Sequence, residues 1–213
     1  MLAMGFGDLR TVLCIGAHSD DIEVGCGGTI LRMLAEAREI DVHWVVLNTP
    51  GARADEARAG ADLFLENARS GSVALKNYRD SFFPYQGQEI KEQFHELAGK
   101  ISPDLIFTHH RGDAHQDHRL VSELTWCAFR DHLILEYEIP KYDGDLGQPN
   151  IFVPLDESTC RRKVQSLMST FKTQHQKQWF TEDTFWSTLR IRGLECNSES
   201  KFAEAFHCRK MRL

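Results

Sequence analysis

Long hydrophobic runs are absent from this sequence of 213 residues. The longest uninterrupted apolar runs are short, such as Val12–Ile15 and Trp44–Leu47, whereas a membrane-spanning helix needs roughly 18 consecutive apolar residues. Residues 1–10 also lack a basic segment followed by an apolar core of signal-peptide length. We therefore expect a protein without an integral membrane segment that is located in the cytoplasm.

Paired cysteines and an excess of positive charge are also missing. The six cysteines form no C-x-x-C motif, which argues against a zinc ribbon or a disulfide scaffold, so we expect reduced and mostly buried thiols. The formal net charge of −6 argues against nonspecific binding of nucleic acid. The charge is uneven, because residues 161–213 carry 11 Lys or Arg and 5 Asp or Glu, whereas residues 1–160 carry 14 and 26. The basic C-terminal layer could pack against the acidic body or a neighbouring subunit, or it could attract a phosphate-bearing substrate.

The order of the predicted elements indicates an α/β fold. Short β-branched runs alternate with helix-like stretches, which is typical of a Rossmann-like, mostly parallel sheet with helices on both faces. We expect a single domain over residues 1–213, with a motif-bearing core at 11–139 and a C-terminal extension at 140–213 that begins with a loop at 140–149. The pattern predicts strands at 11–17, 41–47, 72–75, 104–108, 133–139 and 151–154, an edge strand within 202–213, and helices at 27–38, 54–67, 88–101, 117–131, 156–168 and 184–194.

Two of the predicted strands lead into clusters of histidine and aspartate. In a doubly wound sheet, ligands bind beyond the carboxyl ends of the strands, especially where the strand order reverses. The first strand leads into His18-Ser19-Asp20-Asp21, and the strand at 104–108 leads into residues 109–118, which contain four histidines and two aspartates. Residues three apart at the start of a helix lie on one side, so His18 can converge with Asp21, and His115 with His118. Two histidines and one carboxylate would suit a catalytic zinc ion with an open position for water.

Each cluster alone also has an ordinary structural explanation. A histidine at a strand end can be a polar loop residue, and Asp20 with Asp21 could cap a helix. Both clusters together favour a metal centre. Gly25, Gly27 and Gly28 lack the spacing of a dinucleotide fingerprint, and close packing of a helix against the sheet explains them better.

Three other functions remain compatible with these residues. A metal-dependent hydrolase of another substrate, such as a phosphoester, would use the same ligands. A non-haem iron oxygenase also uses two histidines and a carboxylate, but its usual β-barrel disagrees with the alternating pattern of strands and helices. The third alternative is a noncatalytic module that binds a sugar or a metal.

The two clusters resemble the motifs of the PIG-L/LmbE-like family of zinc-dependent N-acetylglucosaminide de-N-acetylases. That family's first motif is A-H-P-D-D followed by a glycine-rich helix start, and Ala17–Asp21 followed by Gly25–Ile30 is similar to it. Its second motif is H-x-D-H, which His115–His118 matches. Between its two motifs the family often has a threonine-glycine step followed by a helix with the pattern R-x-x-E. Residues 49–56 match these two features loosely. The resemblance spans residues 12–120 and leaves the C-terminal third largely uncovered.

The resemblance implies a role for each side chain of the two motifs. It makes His18, Asp21 and His118 the ligands of a zinc cofactor, and Asp20 the general base. His115 would be the general acid or would stabilise the oxyanion, and Asp117 would orient a histidine. The implied partner is a small-molecule amino sugar, N-acetylglucosamine or a conjugate of it. Members of the family often form oligomers, so the resemblance also implies that this chain can form a homo-oligomer.

Further polar residues near the strand ends are candidates for contact with the substrate: Arg53, Arg111, Asp113 and Tyr142. The arginines could bind a hydroxyl or a phosphate, and Tyr142 lies in a segment rich in hydrogen-bonding side chains suited to a sugar. The aromatic residues Trp179, Phe180, Phe185 and Trp186 are expected in the core or at a subunit contact more than against a sugar ring. Ser19 replaces the family's usual proline, which removes a fixed backbone angle but no ligand.

Overall fold

The computed structural model describes residues 5–37 and 39–212. Within these residues the chain forms a seven-stranded sheet in the order β3-β2-β1-β4-β5-β7-β6. Strands β1 to β5 pair in parallel, and β7 is antiparallel to both of its neighbours, β5 and β6. The elements are β1 (Thr11–His18), α1 (Asp21–Glu36), β2 (Asp41–Asn48), α2 (Ala52–Phe64), β3 (Ser70–Leu75), α3 (Gly87–Lys100), β4 (Leu105–His109), α4 (Gln116–Ala128), β5 (Leu133–Tyr137), β6 (Ile151–Leu155), α5 (Glu157–Thr170), α6 (Glu182–Glu195) and β7 (Phe202–His207), with 3₁₀ turns at Phe83–Gln86 and Lys172–Gln174.

Helices cover both faces of the sheet. Successive residues of β1 point to opposite sides, so that Val12 and Cys14 join one apolar cluster while Leu13 and Ile15 join another. The first cluster also contains residues of α1, α2, α5 and α6, and the second contains residues of α3 and α4. Because the central strands are buried on both faces, they are apolar throughout. The predicted fold class, a single mostly parallel α/β domain, is confirmed.

The first helix begins earlier than predicted. It starts at Asp21 and includes the glycine-rich stretch, whereas the sequence pattern placed its start near Gly27. Tertiary packing outweighs the low helix propensity of glycine here: a Cβ atom on Gly25 would lie 2.2 Å from the Tyr137 ring, and one on Gly28 would lie 2.5 Å from Leu155. The expectation that these glycines permit close packing is confirmed. The predicted end of this helix, Arg38, lies outside the described residues.

The last strand is not at the edge of the sheet, so that prediction was wrong. Strand β7 ends at His207 and lies between β5 and β6, and residue 213 of the predicted stretch lies outside the described residues. The edge position belongs to β6, where Pro154 has no amide hydrogen to donate to a further strand. Residues 140–212 thus complete the sheet that residues 11–137 begin.

Five of the eleven basic residues of the C-terminal part form ion pairs with acidic groups. Arg192 lies 2.7 Å from Glu138, and Arg162 lies 2.6 Å from Glu66. These contacts favour the expected packing of a basic layer on the acidic body.

All six cysteines are free thiols, and four of them are buried, as predicted. No helix in the described part of the chain is long and apolar enough to cross a membrane. Phe180 and Phe185 are core residues, as expected.

A buried ion pair connects this C-terminal part to the middle of α1. Glu204 of β7 accepts hydrogen bonds from the backbone amides of Gly28 at 2.8 Å and Thr29 at 2.6 Å. Lys163 of α5 donates to Glu204 and to the Val24 carbonyl, both at 2.6 Å. Lys163 is 3% exposed and Glu204 is 4% exposed. The pair therefore holds the helix that begins with Asp21 through its own backbone groups.

Removing one partner of this pair should destabilise the protein strongly. We expect Glu204→Ala to lower the free energy of unfolding by about 3–5 kcal/mol, because it leaves the Lys163 ammonium buried without a counter-charge. The double variant Lys163→Met/Glu204→Leu should lose less, since neither charge remains. Urea denaturation measures both losses. As a control, Glu157→Ala breaks the exposed pair with Arg161 and should cost about 0.5 kcal/mol or less. Equal losses for Glu204→Ala and Glu157→Ala would contradict the expectation.

Candidate metal centre

The two histidine-aspartate clusters meet at the carboxyl ends of neighbouring strands. Strand β1 pairs with β2 on one side and with β4 on the other, so the strand order reverses beside β1. His18 is the last residue of β1, and His109 is the last residue of β4. Helix α4 begins at Gln116 and carries His118 in its first turn. The ends of these two strands are therefore adjacent.

Three donor atoms converge at this edge of the sheet: His18 Nδ1, Asp21 Oδ2 and His118 Nε2. His18 Nδ1 lies 3.2 Å from His118 Nε2 and 3.4 Å from Asp21 Oδ2, and the remaining pair is 3.6 Å apart. A tetrahedral zinc ion with bonds of about 2.0–2.2 Å separates its ligands by roughly 3.3–3.6 Å. The three atoms therefore match one face of a zinc tetrahedron, whose fourth corner would remain for water or substrate.

The charges of the three side chains also suit a cation. Burial and the nearby His109 lower the pKa of His118 to about 3, so its imidazole is neutral, which is the form that binds a metal. Burial would raise the pKa of Asp21, but His118 and His109 hold it well below its usual value. Burial would lower the pKa of His18, but hydrogen bonds with Asp117, Asp21 and Asp80 raise it well above its ordinary value. The surrounding carboxylates thus stabilise a positive charge at this position, which a bound metal would supply in place of the His18 proton.

Two buried aspartates orient the outer nitrogens of the two histidine rings. Asp113 Oδ2 lies 2.9 Å from His118 Nδ1, and Asp117 Oδ2 lies 3.2 Å from His18 Nε2. A hydrogen bond at the far nitrogen fixes the tautomer and turns the other nitrogen towards the centre. Asp117 thus lies behind a histidine, where an orienting carboxylate is expected. Asp113 also accepts from the His115 amide at 2.7 Å, and this buried position favours an orienting role over the predicted contact with substrate.

Asp20 lies in the turn between β1 and α1 and is nearly fully buried. Its backbone φ is 108°, in the left-handed region that non-glycine residues rarely adopt. Arg53 Nη2 lies 2.6 Å from Asp20 Oδ1 and also donates to the Ser19 carbonyl. Burial raises the pKa of Asp20 to about 7, although Arg53 opposes the increase. A carboxyl group with this pKa can exchange a proton at neutral pH.

Ser19 compensates for the proline that it replaces in the motif. The side chain is fully buried, and its Oγ lies 3.1 Å from the Arg53 carbonyl and 3.3 Å from the Asn48 carbonyl. The hydroxyl can therefore tie the turn to the end of β2 and to the start of α2. Hydrogen bonding to neighbouring segments takes the place of the fixed backbone angle that proline would supply.

His115 caps the N-terminus of helix α4. Its Nδ1 accepts a hydrogen bond from the Asp117 amide at 3.2 Å, so its proton resides on Nε2. Its ring lies 5.0 Å from the His18 ring and 4.5 Å from the His118 ring, measured between centroids. Burial, with His18 beside it, lowers the pKa of His115 and favours the neutral ring.

Two other groups of side chains are spaced for a metal but are already engaged. One consists of His109, Asp113 and His118, and the other consists of His18, Asp80, His115 and Asp117. In the first group, Lys141 Nζ lies 3.0 Å from Asp113 and supplies a positive charge. In the second, Asp117 accepts from the amides of Ser81 at 2.7 Å and Phe83 at 3.1 Å. The triangle of His18, Asp21 and His118 is thus the best candidate.

The remaining predicted substrate residues lie apart from this triangle. Arg111 is exposed, and its backbone amide donates to Glu136 at 3.0 Å. Tyr142 is 69% exposed, and its hydroxyl accepts from the Gln178 amide at 3.1 Å. Neither side chain is hydrogen-bonded to His18, Asp21 or His118 among the described residues. Of the predicted substrate residues, Arg53 pairs with Asp20, and Asp113 is hydrogen-bonded to His118.

Two residues of the site were not assigned from the sequence. His109 is fully buried, accepts from the Ala17 amide at 3.0 Å and stacks on His118 with ring centroids 3.9 Å apart. Its position as the last residue of β4 was the signal that could have identified it. Asp80 follows β3, and its Oδ1 lies 3.2 Å from His18 Nε2. The rule that strand ends gather at one edge could have directed attention to this loop.

Comparisons with known proteins give a family and several relatives. The family model described as PIG-L, GlcNAc-PI de-N-acetylase, matches residues 13–129. The uncharacterized deacetylase YaiS of Escherichia coli (strain K12) is 29% identical over 174 residues, which cover 74% of this chain and 89% of YaiS.

Solved structures share the fold at lower sequence identity. The N,N'-diacetylchitobiose deacetylase from Pyrococcus horikoshii, complexed with its inhibitor MPG, has a TM-score of 0.71 and 19% identity, covering 94% of this chain and 84% of that chain. The 4-carboxy-2-hydroxymuconate hydratase GalB from Pseudomonas putida has a TM-score of 0.77 and 16% identity, covering 96% and 98%. A shared fold does not fix the reaction. The family model, however, matches more than half of the chain, and the protein therefore belongs to the PIG-L family of de-N-acetylases.

Proposed function

We propose that this protein removes the N-acetyl group from an N-acetylglucosamine-type amino sugar or its conjugate, with a zinc ion bound by His18, Asp21 and His118. The observation that carries the proposal is the triangle of three donor atoms next to the buried Asp20. The family supplies the reaction class, and the amino-sugar substrate of the Pyrococcus horikoshii deacetylase supports the substrate class.

The chain provides the proton transfers of amide hydrolysis. A bound zinc ion would polarise the amide carbonyl and lower the pKa of its water to about 7. Asp20 accepts the proton of the attacking water as the general base, while Arg53 holds its carboxylate in place. The same carboxylic acid then returns the proton to the departing nitrogen. Acetate and a free amino sugar are the products.

His115 stabilises the negative charge that develops on the amide oxygen. Because its Nδ1 accepts from the Asp117 amide, its Nε2–H is the ring group that can donate to the amide oxygen. A well-placed donor of this kind contributes on the order of 3 kcal/mol to the barrier reduction. Protonation of Nδ1 would break the bond from Asp117. The geometry therefore favours oxyanion stabilisation by His115 over the general-acid role that is the other option.

Asp113 acts behind this machinery as the residue that positions His118. It accepts from His118 Nδ1, and Lys141 Nζ lies 3.0 Å from the same carboxylate oxygen. Burial would raise the pKa of Asp113, but His118 and Lys141 hold it well below its usual value. The carboxylate is therefore charged and keeps Nε2 of His118 directed towards His18 and Asp21, which with it would hold the metal.

The reaction itself is tested by measuring acetate release from a series of N-acetylglucosamine conjugates with the zinc-reconstituted protein. Acetate and a free amine should appear in equal amounts. A hydrolase of another amide or ester would bind zinc in the same way but release no acetate from any member of the series. That result would contradict the proposal.

Substitutions in the triangle and at the base should have different effects. We expect Asp20→Ala to retain zinc but to lose turnover by about 10²–10⁴-fold, because only the proton acceptor is removed. His118→Ala should lose zinc, because one of three ligands is missing. Metal analysis together with the acetate assay separates the two variants. Near-wild-type rates in both would refute the assignment, and a noncatalytic module would show no turnover to lose.

Asp113→Ala should weaken the affinity for zinc by about 10–100-fold, because His118 would lose the hydrogen bond that fixes its tautomer. Competition with a chelating dye measures this affinity. The exposed aspartate of the same region, Asp143, provides the matched control, and Asp143→Ala should bind zinc as the wild type does. Equal zinc affinities for the two variants would show that Asp113 does not position the ligand.

A further inference from the structure

Regular backbone pairing between β1 and β4 stops before the metal centre. Among the described residues, the register of the two strands pairs Val12–Cys14 with Leu105–Phe107 and goes no further. The candidate ligand His18 and the last residue of β4, His109, both lie beyond this ladder. On the other side of β1, pairing with β2 continues to His18, which lies opposite Asn48. The backbone of β4 therefore does not hold the last residues of β1.

Two buried side chains bind this part of β1 instead. The Tyr137 hydroxyl donates to the Ile15 carbonyl at 2.6 Å, and His109 Nε2 accepts from the Ala17 amide at 3.0 Å. Their rings pack against each other with centroids 4.8 Å apart, and both are fully buried. We propose that His109 is a positioning residue, which holds the end of β1 so that His18 meets the other metal ligands. This inference rests on the zinc site of the proposed function.

The same ring contacts the second histidine ligand. His109 stacks on His118, with ring centroids 3.9 Å apart and an interplanar angle of 20°. Asp113 binds the edge of the His118 ring at Nδ1, whereas His109 covers its face. Ala17, which His109 binds through the backbone, directly precedes His18. One ring therefore fixes the two histidine ligands relative to each other, and a binding site tolerates only small displacements of its ligands.

Histidine has a cost in stability at this buried position. Its Nδ1 is buried and has no hydrogen-bond partner among the described residues, and an unpaired buried polar group is destabilising. A phenylalanine would fill the same space without this cost. It could not, however, accept from the amide of Ala17, which is itself fully buried and needs an acceptor. The lone pair of Nε2 is therefore the property that distinguishes histidine here.

The alternative is the opposite tautomer of the His109 ring. Asp21 Oδ2 lies 3.2 Å from His109 Nε2, so a ring protonated on Nε2 would donate to this carboxylate and leave the Ala17 amide without an acceptor. The Ala17 amide points at the ring nitrogen, and Asp21 Oδ2 accepts from the His18 amide at 2.6 Å. We therefore expect the ring proton on Nδ1. Nitrogen-15 NMR of the zinc-loaded wild type locates this proton, and a proton on Nε2 would overturn the proposal.

Two substitutions in the full-length protein separate the acceptor from the ring. His109→Phe keeps a ring against His118 but removes the acceptor, and we expect it to weaken the affinity for zinc by about 10–100-fold. His109→Gln loses the ring but keeps a side-chain acceptor, so it should recover most of this loss. Competition with a chelating dye measures the affinities. The visible spectrum of the cobalt-substituted protein reports the ligand geometry, and it should change in His109→Phe and resemble the wild type in His109→Gln.

An exposed histidine provides the matched control. His95 is exposed on α3, and His95→Phe should bind zinc as the wild type does. Wild-type affinity in His109→Phe, or equal losses in His109→Phe and His109→Gln, would overturn the positioning role. If urea denaturation shows that His109→Phe does not fold, the position of the ring proton in the wild type decides.

The same measurements distinguish this proposal from the proposed function. A wild type that binds no zinc would overturn the zinc site together with the positioning role. Zinc binding that does not depend on His109 would overturn the positioning role alone. Zinc binding that depends on His109, without acetate release from any N-acetylglucosamine conjugate, would contradict the deacetylase assignment alone.

Discussion

The site depends on one histidine ring that is held from both ends. His18 directs Nδ1 towards Asp21 and His118, while Nε2 lies 3.2 Å from both Asp117 and Asp80. If the ring were rotated by 180°, Nδ1, the proposed metal ligand, and Nε2, the hydrogen-bond donor, would exchange positions. Neither nitrogen would then meet its partners. The position of His18 follows in turn from the parallel pairing of β1 with β4, because this pairing brings residues that are 100 apart in the sequence to one edge.

The sequence was most informative about reactive side chains that lie at the ends of predicted strands. Two motifs at predicted strand ends were enough to indicate the family, and the alternation of short β-branched runs with helix-like stretches predicted helices on both faces of the sheet. Local rules were less reliable for α1, whose glycines resemble a helix start but serve contacts with Tyr137 and Leu155. Such contacts involve residues far along the chain, and no local pattern encodes them. The position of β7 between β5 and β6 is hidden for the same reason, since strand order beyond the parallel core is decided by packing.

The orienting residues were also difficult to recognise in advance. His109 and Asp80 have no fixed spacing from the motifs, and they join the site only because separate strand ends meet. Asp113 was recognised as polar and close to the site, but its burial behind His118 depends on the path of the loop after β4. The sequence thus predicts which side chains carry chemistry more readily than it predicts which side chains hold them. The hydratase that shares this fold shows why the individual residues, and not the architecture, must identify the reaction.

The bond between β7 and α1 links the order of synthesis to the order of assembly. Helix α1 is made well before its anchor, because the amides of Gly28 and Thr29 are bound by Glu204, which follows them by 176 and 175 residues. On the ribosome, the turn that bears Asp20 and Asp21 is therefore followed by a helix whose anchor has not yet been translated. The turn that carries Asp20 and Asp21 consequently reaches its fully anchored form only after β7 has been made, and a product that ends before β7 would lack this anchor.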